Sequence, residues 1–218
     1  MFIISDNFNE LRKYISLWKQ KKYRVGFIPT MGNLHSGHLR LIEQIKKRDV
    51  DKTIVSIFVN PRQFGPNEDY TNYPRTLEDD IKKLRDLDVD LLFCPDKDLM
   101  YPIQNTGELK IDNKILMNDL CGSNRVGHFN GVLLVVNKLF NLLQPNIVIF
   151  GQKDYQQYLI IKNMVENLFM PIELILSPII REIDGLAMSS RNKYLNKNER
   201  EKAPKLNKSL IINVFFNF

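Results

Sequence analysis

Cysteine is scarce in this chain: Cys94 and Cys121 are the only two in 218 residues. They form no Cys-x-x-Cys pair and have no metal-ligand spacing, which excludes a disulfide scaffold and a zinc-ribbon site. Both are read as unpaired structural residues. Long apolar runs are missing as well, and none approaches the ~20 residues that a bilayer span requires. Residues 1–9 carry acids and lack the build of a cleavable leader, so a cytoplasmic protein without a membrane partner is expected. There is no Gly-x-x-x-x-Gly-Lys loop, which excludes a P-loop nucleotide site. No nucleophilic side chain stands beside a paired base. Histidine occurs only three times.

Charge is not scarce. The formal net charge is +6 and the isoelectric point about 9.2. Much of the excess lies in residues 19–24 and 191–208. Neither stretch is interleaved with aromatic residues as a single-strand nucleic-acid surface would be. An enzyme for anionic substrates, with solvated lysines and no nucleic-acid partner, is the favoured reading.

Two of the three histidines fall within one stretch, Pro29-Thr30-Met31-Gly32-Asn33-Leu34-His35-Ser36-Gly37-His38. An apolar run at 25–28 precedes it and reads as a buried strand. Leu39, Leu41, Ile42 and Ile45 follow at helical spacing. The stretch is therefore a strand-to-helix junction. Free N–H groups and the helix dipole make such a junction an anion site, and glycine lets a phosphate approach the backbone. Histidines three apart can share one face of the first turn and donate to phosphate oxygens.

The same logic recurs at Gly151-Gln152-Lys153-Asp154, which follows an apolar run and opens another helix. Lys153 supplies a mobile point charge for phosphate. Asp154 can cap the helix or meet a ribose hydroxyl or a magnesium water. Gln157 lies one turn further on, facing the same crevice. Asn60 and Gln63 follow the second strand and suit the hydroxyls and carboxylates of a small polar acid; a loop cap and an exposed amide is the plainer alternative. Residues 65–75 read as a loop walling the site. Met188-Ser189-Ser190-Arg191, after an Asp-Gly turn, can clamp a triphosphate. Arg125 can meet an anion, whereas His128 reads as a hydrogen-bonded structural residue.

Strand-like runs at 25–28, 53–59, 91–94, 146–150 and 172–176 alternate with helical patterns, and 109–111 reads as a short further strand. Residues 7–20 form an amphipathic helix. Thr76 reads as an N-cap, with Asp79 and Asp80 complementing the dipole of the helix it opens. The expected fold is α/β: a Rossmann-like open parallel sheet with helices on both faces, plus a truncated C-terminal segment. Residues 1–184 form the nucleotide-binding catalytic domain, and 185–218 the Ser-Ser-Arg loop and a shortened lid.

The stretches 29–38, 55–64, 73–76, 127–132, 140–145, 151–157 and 185–195 resemble, in order, the pantothenate synthetase (pantoate–beta-alanine ligase) family. That family lies within the nucleotidyltransferase superfamily marked by His-x-Gly-His. The resemblance implies ATP-dependent joining of pantoate and beta-alanine through a pantoyl adenylate, with ATP and Mg2+ required and a homodimer as the assembly. It implies an ATP site of Met31, Gly32, Asn33, Leu34, His35, Ser36, Gly37, His38, Gly151, Gln152, Lys153, Asp154, Ile180, Met188, Ser189, Ser190 and Arg191. It places His35, His38 and Lys153 in catalysis, and Asn60, Gln63 and Gln157 around pantoate and beta-alanine. The metal ligands are not readable. Where the family usually has Arg-Pro-Gly-His this chain has Arg125-Val126-Gly127-His128, Gln152 stands where Glu is common, and the C-terminal part is shorter. Another nucleotidyltransferase of the superfamily, or a non-catalytic nucleotide- or nucleic-acid-binding relative, is the alternative.

Overall fold

The computed structural model describes residues 2–102 and 109–216, the last five of these, 212–216, by backbone alone. The strands are β1 (Ile3–Ser5), β2 (Val25–Thr30), β3 (Lys52–Ile57), β4 (Leu91–Phe93), β5 (Ile147–Gly151) and β6 (Glu173–Ser177). The helices are α1 (Phe8–Gln20), α2 (Ser36–Lys46), α3 (Leu77–Asp86), the short α4 (Lys97–Met100) and α5 (Cys121–Asn124), then α6 (His128–Leu143), α7 (Tyr155–Asn167), α8 (Lys197–Lys202) and α9 (Pro204–Phe216). All six strands are parallel, in the order β1-β4-β3-β2-β5-β6.

That order decides where a ligand can sit. From β2 the chain runs outward to β3 and β4, then returns to lay β5 and β6 on the other side of β2. The direction of winding reverses between β2 and β5. In an open parallel sheet the loops beyond such a pair of strand ends part and leave a crevice. The loop and first helical turn after β2 carry His35 and His38, and the 3-10 turn after β5 carries Lys153.

Strand alternation sorts the core into two layers. Phe27, Ile54, Val148 and Phe150 pack with α1, α6 and α7 on one face. Ile28, Val55, Ile147 and Ile149 pack with α2 and α3 on the other. Phe27 and Ile28 are both fully buried, and burying each such side chain contributes about 1.5–3 kcal/mol. The near-continuous apolar runs noted in the sequence are what a sheet covered on both faces demands.

Several expectations need correction. The sheet has a sixth strand, β1, which the sequence does not announce because three residues are too few to display a period. Residues 109–111 form no strand. The helix expected to open at Gly151 starts with a 3-10 turn, Gln152–Asp154, and turns α-helical only at Tyr155. Thr76 occupies the N-cap position of α3, but its side chain makes no cap hydrogen bond. Its hydroxyl donates to Asp80 at 3.3 Å instead. Asp80 does stand in the first turn of α3, but it is also fully buried and accepts backbone N–H groups from the histidine loop, a role its sequence position does not show. Cys94 and Cys121 are both free, but Cys121 is exposed and packs into no core.

Candidate active site

A cleft of about 250 Å³ opens at the C-terminal ends of β2 and β5. The histidine loop forms one wall. β2 ends at Thr30, and Gly32 (φ +81°) and Asn33 (φ +50°) turn the chain through the left-handed region into α2. His35 is the N-cap of α2, and its Nδ1 accepts the Gly37 N–H at 3.1 Å. His38, one turn on, accepts the His35 N–H on its own Nδ1 at 3.3 Å. The capping box expected of Ser and Glu is thus built from two imidazoles. The rings lie 4.1 Å apart, centroid to centroid.

The electrostatics keep both rings neutral. Burial comes first in pushing the His38 value down, to about 3, followed by His35, Lys153 and Lys83. His35 is lowered by burial first, then by Lys153. Each Nδ1 faces a donor, so in the neutral ring the proton rests on Nε2. The pair is therefore a set of two Nε2–H donors rather than two cations.

The second wall is the turn Pro61–Gln63 together with α6. Asn60 is fully buried. Its Nδ2 donates to Gln63 Oε1 at 2.9 Å and to the Gly131 carbonyl at 3.0 Å, and its Oδ1 accepts from the Tyr101 hydroxyl at 2.9 Å. With Oε1 held, Gln63 has its Nε2 left to donate into the cleft. His128 Nδ1 lies 2.6 Å from the Gln63 carbonyl, and Arg125 approaches His128 Nε2 at 3.0 Å. A carbonyl only accepts and a guanidinium only donates, so His128 is a neutral Nδ1–H tautomer that props the Gln63 backbone. His128 is thus hydrogen-bonded through both ring nitrogens, as expected, and it also lines the cleft.

Gly131 makes the approach of α6 possible. A Cβ there would overlap the Arg62 carbonyl and lie 3.0 Å from the Gln63 nitrogen. Gly131→Ala is expected to cost about 1–3 kcal/mol of stability and to displace the Gln63 turn. The matching observables are a lowered melting temperature and a displaced Gln63 backbone amide resonance. A variant in which both are unaltered would show that the close approach is not needed.

The third side is the hairpin and 3-10 turn Ser190–Tyr194. Gly185 (φ +96°) reverses the chain, and Arg181 bridges Ala187 in an antiparallel pair. Ser190 is buried and its hydroxyl reaches the Asn33 carbonyl at 3.5 Å, so this turn touches the histidine loop directly. Arg191 is engaged by Asp69 in a bidentate pair at 2.8 and 3.1 Å. Arg125 is likewise paired with Glu68 at 2.6 and 2.7 Å. Neighbouring acids on the 65–75 loop thus hold two cations at the rim. Phe64, Tyr70 and Tyr73 interlock edge to face and stiffen this wall.

Among the residues expected to bind ATP, the cleft is lined by Met31, His35, Gly37, His38, Gly151, Lys153, Asp154, Ile180, Met188, Ser189, Ser190 and Arg191. Gly32, Asn33, Leu34, Ser36 and Gln152 lie off it. Gln63 and Gln157 line it, and Asn60 stands behind Gln63. Residues not singled out in the sequence add an apolar floor: Phe58, Val132, Val135 and Leu139. Their pattern is that of any buried helix or strand, and only the crossing of α6 under the cleft shows that they face a ligand space. Glu68 and Asp69 carry no periodic signal either, since loop residues have no period, and they are legible only as part of the loop at 65–75. Among the described residues, no three His, Cys, Asp or Glu side chains converge to hold a metal ion, and no helix is long and apolar enough to cross a membrane.

Comparison with known proteins identifies the family. Residues 3–213 match the family model described as pantoate-beta-alanine ligase. The chain belongs to the pantoate–beta-alanine ligase family. It is 49% identical over 204 residues to the pantothenate synthetase of Hydrogenovibrio crunogenus, covering 94% of this chain and 72% of that one. Its fold matches the pantothenate synthetase of Thermus thermophilus with a TM-score of 0.89 at 44% identity, covering 96% of this chain and 73% of that chain. It also matches a Francisella tularensis pantoate-beta-alanine ligase, solved with beta-gamma ATP and beta-alanine. There the TM-score is 0.88 at 43% identity, covering 100% of this chain and 82% of that chain.

Proposed function

We propose that this chain joins pantoate to beta-alanine at the expense of ATP, releasing AMP and pyrophosphate. The observation that carries the reading is the joint lining of one cleft: His35, His38, Lys153 and Ser189 beside Gln63 and Gln157, above Phe58, Val132, Val135 and Leu139. The first group suits polyphosphate. The amides suit hydroxyls and a carboxylate. The apolar floor suits the dimethyl carbon of pantoate.

In the first step a pantoate carboxylate oxygen forms a bond to the α-phosphorus of MgATP and the bond to pyrophosphate breaks. The donors on His35 and His38 and the Lys153 ammonium meet the charge that builds on the phosphate oxygens. In the second step the amine of beta-alanine attacks the acyl carbon, AMP departs and the nitrogen loses a proton. No protein nucleophile is required, so the chain contributes position and charge. Gln63 and Gln157 hold pantoate, with Gln63 also beside beta-alanine, and Asn60 fixes the Gln63 amide. Ile180 and Met188 line the adenosine side. Ser190 and Arg191 close the phosphate end, which requires Arg191 to leave Asp69. Magnesium enters as part of the nucleotide substrate. Residues 185–218 act as the cover of the phosphate end.

The test is AMP formation with MgATP, pantoate and beta-alanine, each acid omitted in turn. AMP only with both acids, and pyrophosphate exchange with pantoate alone, are the expected results. Turnover that ignores pantoate would overturn the reading.

A further inference from the structure

The junction that carries both histidines does not hold its own shape. Gly32 and Asn33 are consecutive residues at positive φ, and for Asn33 (φ +50°) that conformation is costly without support. The turn leaves the N–H groups of Asn33 and Leu34 directed into the protein. One carboxylate takes both: Asp80 Oδ2 accepts from Asn33 and Oδ1 from Leu34, each at 2.8 Å. Asp80 comes from α3, on the far side of the loop from the cleft's amides, and is fully buried. The Thr76 hydroxyl donates to Oδ2 at 3.3 Å, and Lys83 supplies a counter-charge at 3.8 Å. Lys83 also donates to the Leu34 carbonyl at 2.8 Å. A buried carboxylate persists only when hydrogen bonds and charge compensate it, and here two of those bonds are spent on successive peptides of the histidine loop.

The next peptide along is His35, whose N–H donates to His38 Nδ1, while the Gly37 N–H donates to His35 Nδ1. Both imidazole tautomers are therefore set by backbone groups whose direction follows from the turn at Asn33 and Leu34. If the acid served only the dipole of α3, the exposed Glu78 and Asp79 in the same first turn would suffice.

We propose that Asp80 is a positioning residue for the adenylation step, holding the Asn33–Leu34 peptides so that His35 and His38 present Nε2–H donors to the triphosphate. This rests on the ligase reading above, and its test has a readout that does not depend on turnover. The chain has only three histidines, so 15N-histidine NMR resolves each ring, with His128 as the internal reference. Wild-type protein is expected to show Nε2–H tautomers at His35 and His38 and an Nδ1–H tautomer at His128. Asp80→Asn keeps one acceptor oxygen and replaces the other by a donor that faces a peptide N–H. It should give mixed tautomers at His35 and His38 and leave His128 unchanged. Pantoate-dependent pyrophosphate release should fall about 100-fold in kcat, as for misplaced catalytic groups, with the KM for pantoate within about threefold. Asp79→Asn is the control and should match wild type.

Should Asp80→Asn fail to fold, Thr76→Val, which leaves the carboxylate but removes the hydroxyl behind Oδ2, decides the matter with the same signature at about threefold. Wild-type tautomers and kcat in the folded variant overturn the proposal. Tautomers that change in Asp80→Asn, in a protein whose parent releases no pyrophosphate, support the positioning role and overturn only the ligase reading.

Discussion

Lys153→Ala should lower pantoate-dependent pyrophosphate release by about 1000-fold, because a preorganised charge at a developing oxyanion is worth several kcal/mol in a water-poor cleft. The fold should survive. Lys153 stands on the short turn after β5 and its side chain is 38% exposed, in an ion pair with Asp154 at 2.8 Å. Exposed pairs of this kind contribute about 0–1 kcal/mol. The charge nevertheless acts inside the site, since Lys153 is among the groups that depress both His35 and His38. Removing it should therefore raise the His35 titration while the melting temperature holds. Stopped-flow or coupled pyrophosphate assays beside a thermal melt check both halves. Unchanged pyrophosphate release in a folded variant would remove Lys153 from the chemistry.

His38→Asn is the second large effect. Asparagine can place an acceptor where Nδ1 receives the His35 N–H, so the start of α2 keeps its cap. It cannot reach where Nε2 donates. Adenylation should fall about 100- to 1000-fold, while pantoate affinity changes little. His38→Gln, which can reach the Nε2 position but not the cap, should recover part of the rate and lose some stability. Equal losses in rate and pantoate binding for the Asn variant would argue against a role confined to the transition state.

The same ring makes the fold sensitive to acid. His38 is held at about 3 when folded, against an ordinary value near 6.5. As pH falls below 6.5 the unfolded chain takes up this proton before the folded chain does. Stability present above pH 6.5 is thus lost progressively down towards pH 3. His35 and His128, both lowered chiefly by burial, act in the same direction. Melting temperatures recorded between pH 7 and pH 4 should fall more steeply for wild type than for His38→Asn. Parallel curves would show that His38 is not buried neutral in solution.

Much of the site could be read before any coordinates. A His-x-Gly-His stretch between an apolar run and a helical pattern points to the wall of the cleft that His35 and His38 line, because strand end, glycine and helix N-terminus are local in sequence. Lys153 and the Ser189–Arg191 turn are legible for the same reason. What remained hidden are contacts between segments far apart in the chain. Asp80 looks like an ordinary first-turn acid, and nothing nearby says that its carboxylate faces Asn33 and Leu34. Asn60 looks like a loop cap and is one, yet its amide also fixes Gln63 and meets Gly131. Arg191 reads as a free phosphate ligand but is paired with Asp69, more than a hundred residues earlier.

By itself the sequence determined the α/β class, five of six strands, the two turns that border the cleft and the family, because periodicity and short motifs are encoded within a few neighbouring residues. Only the tertiary structure decided that β5 lies beside β2, so that His38 and Lys153 border one crevice. It alone decided which imidazole nitrogens carry protons, which amide oxygen is held, and that α6 floors the cleft. The physical reason is common to all of these: each depends on hydrogen bonds and burial between distant segments, and those exist only once the sheet order has been set.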